Sequence, residues 1–217
     1  MAVPSSREFR ALLSSHGWTE PPALPGRKND ILAGVLVPLC LDEGDWVTWM
    51  TLRPNSLSLH GGEVCFPGGH PEPADDDLWD TATREADEEL GLTVKARLGR
   101  LSSMPLYTSD FRLVPFVAEV EPGVFPQPAE VERVLRVAIL DWLDAPHIDA
   151  LVFEWQGQEV YSPVFPIEGL LTFGGTAHVF LELLHALAPA FGRVVPPFQA
   201  GGYAWVDGAV RPVGETA

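Results

Sequence analysis

Apolar and polar residues along the chain fall into a succession of strand and helix patterns. The dense apolar run from Ile31 to Leu41 reads as a buried strand, Asp42–Asp45 as its turn, and Trp46 to Arg53 as the returning strand of a hairpin. Residues 78–92 change period. Ala82, Ala86 and Leu90, four apart, line one helical face that can pack on a sheet, while Glu85, Glu88 and Glu89 (i, i+3, i+4) share another. Two further strands are expected at Val94–Pro105 and Leu113–Glu121, the second alternating Phe116, Ala118 and Val120 with Val117, Glu119 and Glu121, and residues 107–112 form the loop between them. Residues 122–128 read as loop. Glu130–Ala138 fits strand or helix, with a short strand favoured, feeding a helix at Ile139–Leu143. Residues 150–155 and 158–165 flank Gly157 as a late hairpin. Thr176 is the expected N-cap of a last helix to Leu187 that turns Phe180, Leu184 and Leu187 inward.

The ends read differently. Phe9, Leu12 and Leu13 make a short helix over residues 5–15, capped by Ser5 or Ser6, and the proline-rich stretch 21–26 sets it off as an appendage. From Pro196 onward the chain is Gly- and Pro-rich and carries little signal. The expected organisation is an N-terminal extension and linker at 1–25, a main domain at 26–195 and a tail at 196–217. Mixed strands with helices before and after them suit an α/β/α sandwich. No internal repeat interrupts this reading.

Composition narrows the function. With 217 residues, 46% hydrophobic and 20% charged, the chain can bury a full core. Thirty acidic against 14 basic residues, a formal charge of −16, speak against a nucleic-acid backbone or an anionic membrane as partner. No apolar run is long enough to span a bilayer, and the charged N-terminus does not resemble a secretory signal. Cys40 and Cys65 sit in apolar strands and read as buried thiols of a reducing, cytoplasmic compartment. The sequence leaves the oligomeric state open, a homodimer included.

The acidic helix is the chemical centre. Taken alone, the run EADEEL could be a solvated acidic face. Three like charges on one face repel one another by a few tenths of a kcal/mol per pair, and a hard divalent cation with oxygen ligands would offset that. Arg84 can neutralise part of the cluster through a two-pronged ion pair. The run also follows FPGG at a set distance. Gly69, Arg84-Glu85, Ala86, Glu88-Glu89, Gly91 and Leu92 together resemble the Nudix box, with Arg84 one residue further from Gly69 than the general pattern and an acid of the run Asp75-Asp76-Asp77 in place of the middle Glu. Upstream, Thr51-x-Arg53 and then Leu57-x-x-His60-x-Gly62-Glu63-Val64-Cys65-Phe66-Pro67-Gly68-Gly69 is similar to the segment before the box in coenzyme A pyrophosphatases, which share both departures. The likeness extends more weakly over about residues 27–190.

The resemblance implies a Nudix-type α/β/α sandwich with a mixed sheet, and a hydrolase that splits a small-molecule diphosphate with Mg²⁺ or Mn²⁺. It implies Glu85 and Glu89 as the closest metal ligands, the Gly69 carbonyl completing the shell, and Glu88 as a further ligand or the base. Arg84 joins Glu88 among the catalytic groups, and Arg53, His60, Gly62 and Gly68 are expected at the substrate. Gly68 and Gly69 are expected to supply positive φ and close backbone approach. Asp110, Glu119, Glu121 and Glu130 are further candidate bases. His60 reads more readily as a turn residue than as a base, His70 as an exposed loop residue, and His16, His147, His178 and His185 have no ligand spacing. Coenzyme A or its derivatives, split to 3′,5′-ADP and 4′-phosphopantetheine, is the expected substrate. The rivals are another nucleoside diphosphate derivative such as ADP-ribose, and a Nudix module that only binds. A module that only binds has little reason to keep a self-repelling carboxylate cluster.

Overall fold

Strand β1 (Ile31–Asp42) runs through the middle of the main sheet, and its alternating side chains feed cores on both faces. Val35, Val37 and Leu39 point into one core, Leu36 and Cys40 into the other. This computed structural model describes residues 3–56, 60–121, 131–155, 157–206 and 209–214. Leu57, the loop expected at 122–128 and Glu130 lie outside them.

The remaining elements are β2 (Asp45–Leu52), β3 (Val64–Cys65), β4 (Gly68–Gly69), α2 (Leu78–Leu90), β5 (Val94–Arg100), β6 (Met104–Pro105), β7 (Phe111–Val120), β8 (Arg133–Ala138), α3 (Ile139–Leu143), β9 (Ile148–Trp155), β10 (Gln158–Ile167), β11 (Leu170–Thr172), α4 (Gly174–Leu187), β12 (Phe198–Ala200), β13 (Tyr203–Val206) and β14 (Ala209–Pro212), after α1 (Ser6–His16). The main sheet follows the order β3-β2-β1-β7-β5, with β4 beside β1, β6 beside β7 and β8 beside β2. Among the described residues only the β1–β7 pair in it is parallel, so the sheet is mixed. The hairpin from β1 to β2 turns at Glu43 and Gly44, both with positive φ (52° and 94°), the geometry that matches strand twist in a two-residue loop. A second sheet has the order β11-β10-β9-β12.

Helix α2 buries Ala82, Ala86 and Leu90 against the face carrying Leu36, Val114, Phe116 and Ala118. Helices α1 and α4 pack on the opposite face, completing the α/β/α sandwich. The small residues at 82 and 86 bring α2 close to the sheet. Gly34 of β1 brings it closer still, since a Cβ there would stand 2.4 Å from the Leu78 carbonyl oxygen.

Three expectations are corrected, and the tail, which carried little signal, gains a structure. Helix α1, read as an appendage, sinks Phe9 and Leu13 into the main core, with Phe9 against Trp46 and Phe191. The strand expected over 94–105 breaks after Arg100, because Ser103 N–H donates to Thr19 of the N-terminal segment instead of to a strand. Helix α4 starts at Gly174 with Phe173 as its N-cap residue, so Thr176 lies inside the first turn and caps nothing. The tail is structured: β12 adds to β9 in parallel, and β13 pairs with β14. No helix among the described residues is long and apolar enough to cross a membrane.

Candidate active site

The site is assembled where β4 meets α2. Gly69 pairs with Gly34 and Gly68 with Val35 across an antiparallel contact, and Leu36 N–H extends the ladder to the Pro67 carbonyl at 2.9 Å. Neither Gly68 nor Gly69 has positive φ, contrary to expectation. Their role is close approach. A Cβ on Gly68 would stand 2.6 Å from Gly34 O, and one on Gly69 would stand 2.3 Å from Oε1 of Glu85. The absent side chain at Gly69 is the space the Glu85 carboxylate fills.

Helix α2 has both ends fixed by its own sequence. Asp77, extended at φ −154°, accepts from the N–H groups of Trp79 (2.8 Å) and Asp80 (3.0 Å). At the other end Gly91 takes the left-handed conformation (φ 62°), its N–H reaching Asp87 O at 2.7 Å and that of Leu92 reaching Ala86 O at 3.3 Å. The last Gly of the box is therefore the helix stop.

Arg84 spends all five of its donors, three on the loop before the helix and two on glutamates of the helix itself. Nε and Nη2 grip the two oxygens of Asp75, each at 3.1 Å, and Nη2 also reaches the His70 carbonyl at 3.0 Å. Nη1 donates to Glu85 Oε1 (3.0 Å) and Glu88 Oε2 (3.1 Å). Arg84 was expected among the catalytic groups. Every donor is spent on protein acceptors, and through Nη1 it fixes the Glu85 and Glu88 carboxylates. Asp75, whose side chain is 5% exposed, also accepts from Thr81 Oγ1 at 2.9 Å. The Arg84 guanidinium, helped by the Glu72 backbone N–H, holds its carboxyl at about 2, so the clamp stays charged well into acid. Of the run 75–77, Asp75 is thus the partner of Arg84 and Asp77 the helix cap.

The three glutamates differ in setting. Glu88 is the open one, its side chain 58% exposed against 18% for Glu85, and Glu89 is buried at 5%. Glu89 lies close enough to Cys65 that burial and its charge push that thiol up to about 11. Thr51 Oγ1 touches the same sulfur at 3.2 Å, and Arg53 is within its electrostatic reach. Among the described residues, no three His, Cys, Asp or Glu side chains converge as metal ligands, and Glu85 and Glu88 are both paired with Arg84. The donor chemistry nevertheless fits a hard divalent cation. Glu85, Glu88 and Glu89 offer only oxygen, and Gly69 brings bare backbone against Glu85.

The turn upstream gathers Arg53, His60 and Gly62. Arg53 and Glu63 continue the β2–β3 ladder (3.0 Å), and Gly62 N–H returns to Arg53 O at 2.9 Å. His60 adopts φ 57° and bonds Glu63 Oε2 through Nδ1 at 3.0 Å, which raises its pKa. It is a turn residue. Nε of Arg53 is buried with no hydrogen-bond acceptor among the described residues. The candidate bases stand apart from the glutamates in their contacts. Asp110 accepts from Lys28 N–H (2.9 Å), and Glu119 faces Lys95 at 3.9 Å. Exposed His70 rests its ring 4.7 Å from that of Phe111. Asn29 went unremarked in the sequence. It is 2% exposed, and its amide donates to the carbonyls of Leu106, Ser109 and Phe111, anchoring the loop before β7.

A NUDIX domain model matches residues 31–159. The chain is 36% identical over 173 residues to the mitochondrial coenzyme A diphosphatase NUDT8 of Mus musculus, covering 76% of this chain and 82% of that protein. Against the Homo sapiens protein of the same name, identity is 34% over 193 residues, covering 86% and 81%. Those names place the relatives in mitochondria and lend no support to the cytoplasmic compartment expected from composition. The crystal structure of a MutT/nudix family protein from Enterococcus faecalis superposes with a TM-score of 0.51 over 87% of this chain and 76% of that one, at 12% identity, a likeness of fold alone. Box, sheet, clamp and relatives agree: the chain belongs to the NUDIX domain family and is a Nudix hydrolase.

Proposed function

We propose that the chain hydrolyses the diphosphate linkage of coenzyme A or an acyl derivative, giving 3′,5′-ADP and 4′-phosphopantetheine or its acyl form. The observation that carries the chemistry is Glu85 seated against the bare backbone of Gly69, with Glu88 and Glu89 following on the same helix. The substrate is supported by the names of the mouse and human relatives, both coenzyme A diphosphatases. Nudix hydrolases generally need divalent metal ions; here Glu85 and Glu89, with the Gly69 carbonyl, would hold Mg²⁺ or Mn²⁺. When bound, such an ion neutralises charge on the phosphoryl oxygens and favours hydroxide over water.

The chain supplies the rest. Glu88, the most exposed of the three carboxylates, takes the proton from the attacking water. The water oxygen bonds to one phosphorus as the bridging P–O bond breaks, and the other phosphate leaves with the bridging oxygen. Arg84 keeps Glu85 and Glu88 in place. Arg53, with a buried donor lacking an acceptor among the described residues, receives the 3′-phosphate; His60 and Gly62 shape the turn beside it, and Gly68 in β4 gives close backbone approach.

Two outcomes follow. Glu88→Gln lowers kcat by about 10²–10⁴-fold, as for loss of a general base, with a much smaller change in metal affinity. An unchanged kcat moves the base role to Asp110, Glu119, Glu121 or Glu130. Coenzyme A is preferred over its 3′-dephospho form by roughly ten- to a hundredfold in kcat/KM, the worth of one charge-assisted contact, and Arg53→Ala narrows that ratio. Equal values for the two compounds in the unmodified enzyme refute 3′-phosphate recognition. A hydrolysis panel of coenzyme A, ADP-ribose and dinucleotides tests the substrate assignment as a whole.

A further inference from the structure

At the β5–β7 edge of the main sheet, bordered by the start of α2, lies a cleft of about 720 Å³ lined by three arginines, Arg97, Arg100 and Arg112. Strand β4 pairs with β1 on one flank, and β7 and β5 follow on the other, so the cleft and the Gly69–Glu85 contact lie on opposite flanks of β1. Three guanidiniums are a large share of 14 basic residues on a chain of net charge −16. Their mutual repulsion is only partly offset.

Arg97 stacks on Trp79 and Phe116, with Cζ 4.9 and 4.8 Å from the ring centroids, and has no carboxylate within ion-pair distance among the described residues. Arg112 bonds only neutral acceptors: Nε to Asn29 O (3.1 Å), and Nη1 to Pro21 O (2.7 Å) and Ser103 Oγ (3.1 Å). Arg100 lies over Trp18 at 3.8 Å and pairs with Glu20 at 2.8 Å, yet its Nε is buried with no acceptor among the described residues. Asp77 also borders the cleft, but its carboxylate is spent capping α2. Two uncompensated cations and an orphaned buried donor in one concave site call for an oxyanion.

We propose that this cleft is a second anion site, taking a small phosphate-bearing anion with Arg97, Arg100 and Arg112 as its cationic wall. The site is independent of the diphosphatase reading and shares none of its residues. The planar donor forks suit tetrahedral oxyanions, and the pair to Glu20 is the contact that the anion loosens.

The test titrates inorganic phosphate into the full-length protein with a chelator present, following indole N–H signals of Trp18 and Trp79 by NMR. Those rings lie directly beneath Arg100 and Arg97, so saturable shifts at both are expected. Arg97→Gln, at an exposed position, weakens phosphate by about tenfold or more. Glu20→Gln, which frees Arg100, tightens it severalfold, and Glu85→Gln leaves it unchanged. Absence of saturable shifts, equal affinity in Arg97→Gln and the unmodified protein, or loss of the shifts in Glu85→Gln overturns the proposal.

Discussion

Glu85→Gln and Glu89→Gln should each lower turnover by on the order of a hundredfold or more while the protein stays folded. Both exchanges keep side-chain volume and remove one charge. At position 85 the amide oxygen can still accept from Arg84, and the grip of Arg84 on Asp75 does not involve Glu85 at all. At position 89 a neutral amide replaces a carboxylate that is 5% exposed, which removes its repulsion of Glu85 and Glu88. Stability therefore holds or rises in the metal-free protein, and activity falls because the anionic oxygens that would hold the cation are gone. Thermal melts and turnover at saturating Mg²⁺ check the two halves separately. Near-normal turnover in both variants removes these residues from the chemistry.

Gly69→Ala should be almost as damaging to activity and far milder to the fold. Its new Cβ would stand 2.3 Å from Glu85 Oε1 and 2.6 Å from Cδ, so the carboxylate has to swing away, and a flexible side-chain end can do so cheaply. Gly34→Ala makes the contrast. There the Cβ meets the Leu78 backbone oxygen at 2.4 Å, so α2 itself must shift, with a cost of about 1–3 kcal/mol typical of overpacking. The expected pattern is an active-site defect with a near-normal Tm for Gly69→Ala, and a lowered Tm with lost activity for Gly34→Ala. A Gly69→Ala enzyme with full turnover would show that Glu85 need not occupy that space.

Much of this site was legible because its spacing carries its physics. Four-residue spacing put Ala82, Ala86 and Leu90 against the sheet, and the i, i+3, i+4 spacing put the glutamates along one side of α2. The β1–β2 hairpin and the strand feeding α3 followed from local patterns in the same way. What escaped depends on partners distant in sequence. The five acceptors of Arg84 come partly from His70 and Asp75, and no spacing rule says that all five donors are taken. Helix α1 looked detachable because its amphipathic face is short, and its burial depends on Trp46 and Phe191. The tail found its place through the edge of β9, a partner that a Gly- and Pro-rich segment does not announce. Asn29, at φ 46° with three distant carbonyl acceptors, had no local signature.

The central claim is that the α2 carboxylates cleave a diphosphate bond in coenzyme A. Its most direct measurement follows product release from coenzyme A by the purified protein, with Mg²⁺ or Mn²⁺ and with chelator, beside Glu85→Gln. The account predicts 3′,5′-ADP and 4′-phosphopantetheine in equal amounts, only with metal, and a rate cut by about a hundredfold or more in the variant. Folded, metal-saturated protein that leaves coenzyme A intact would contradict it, as would equal rates in the unmodified enzyme and Glu85→Gln.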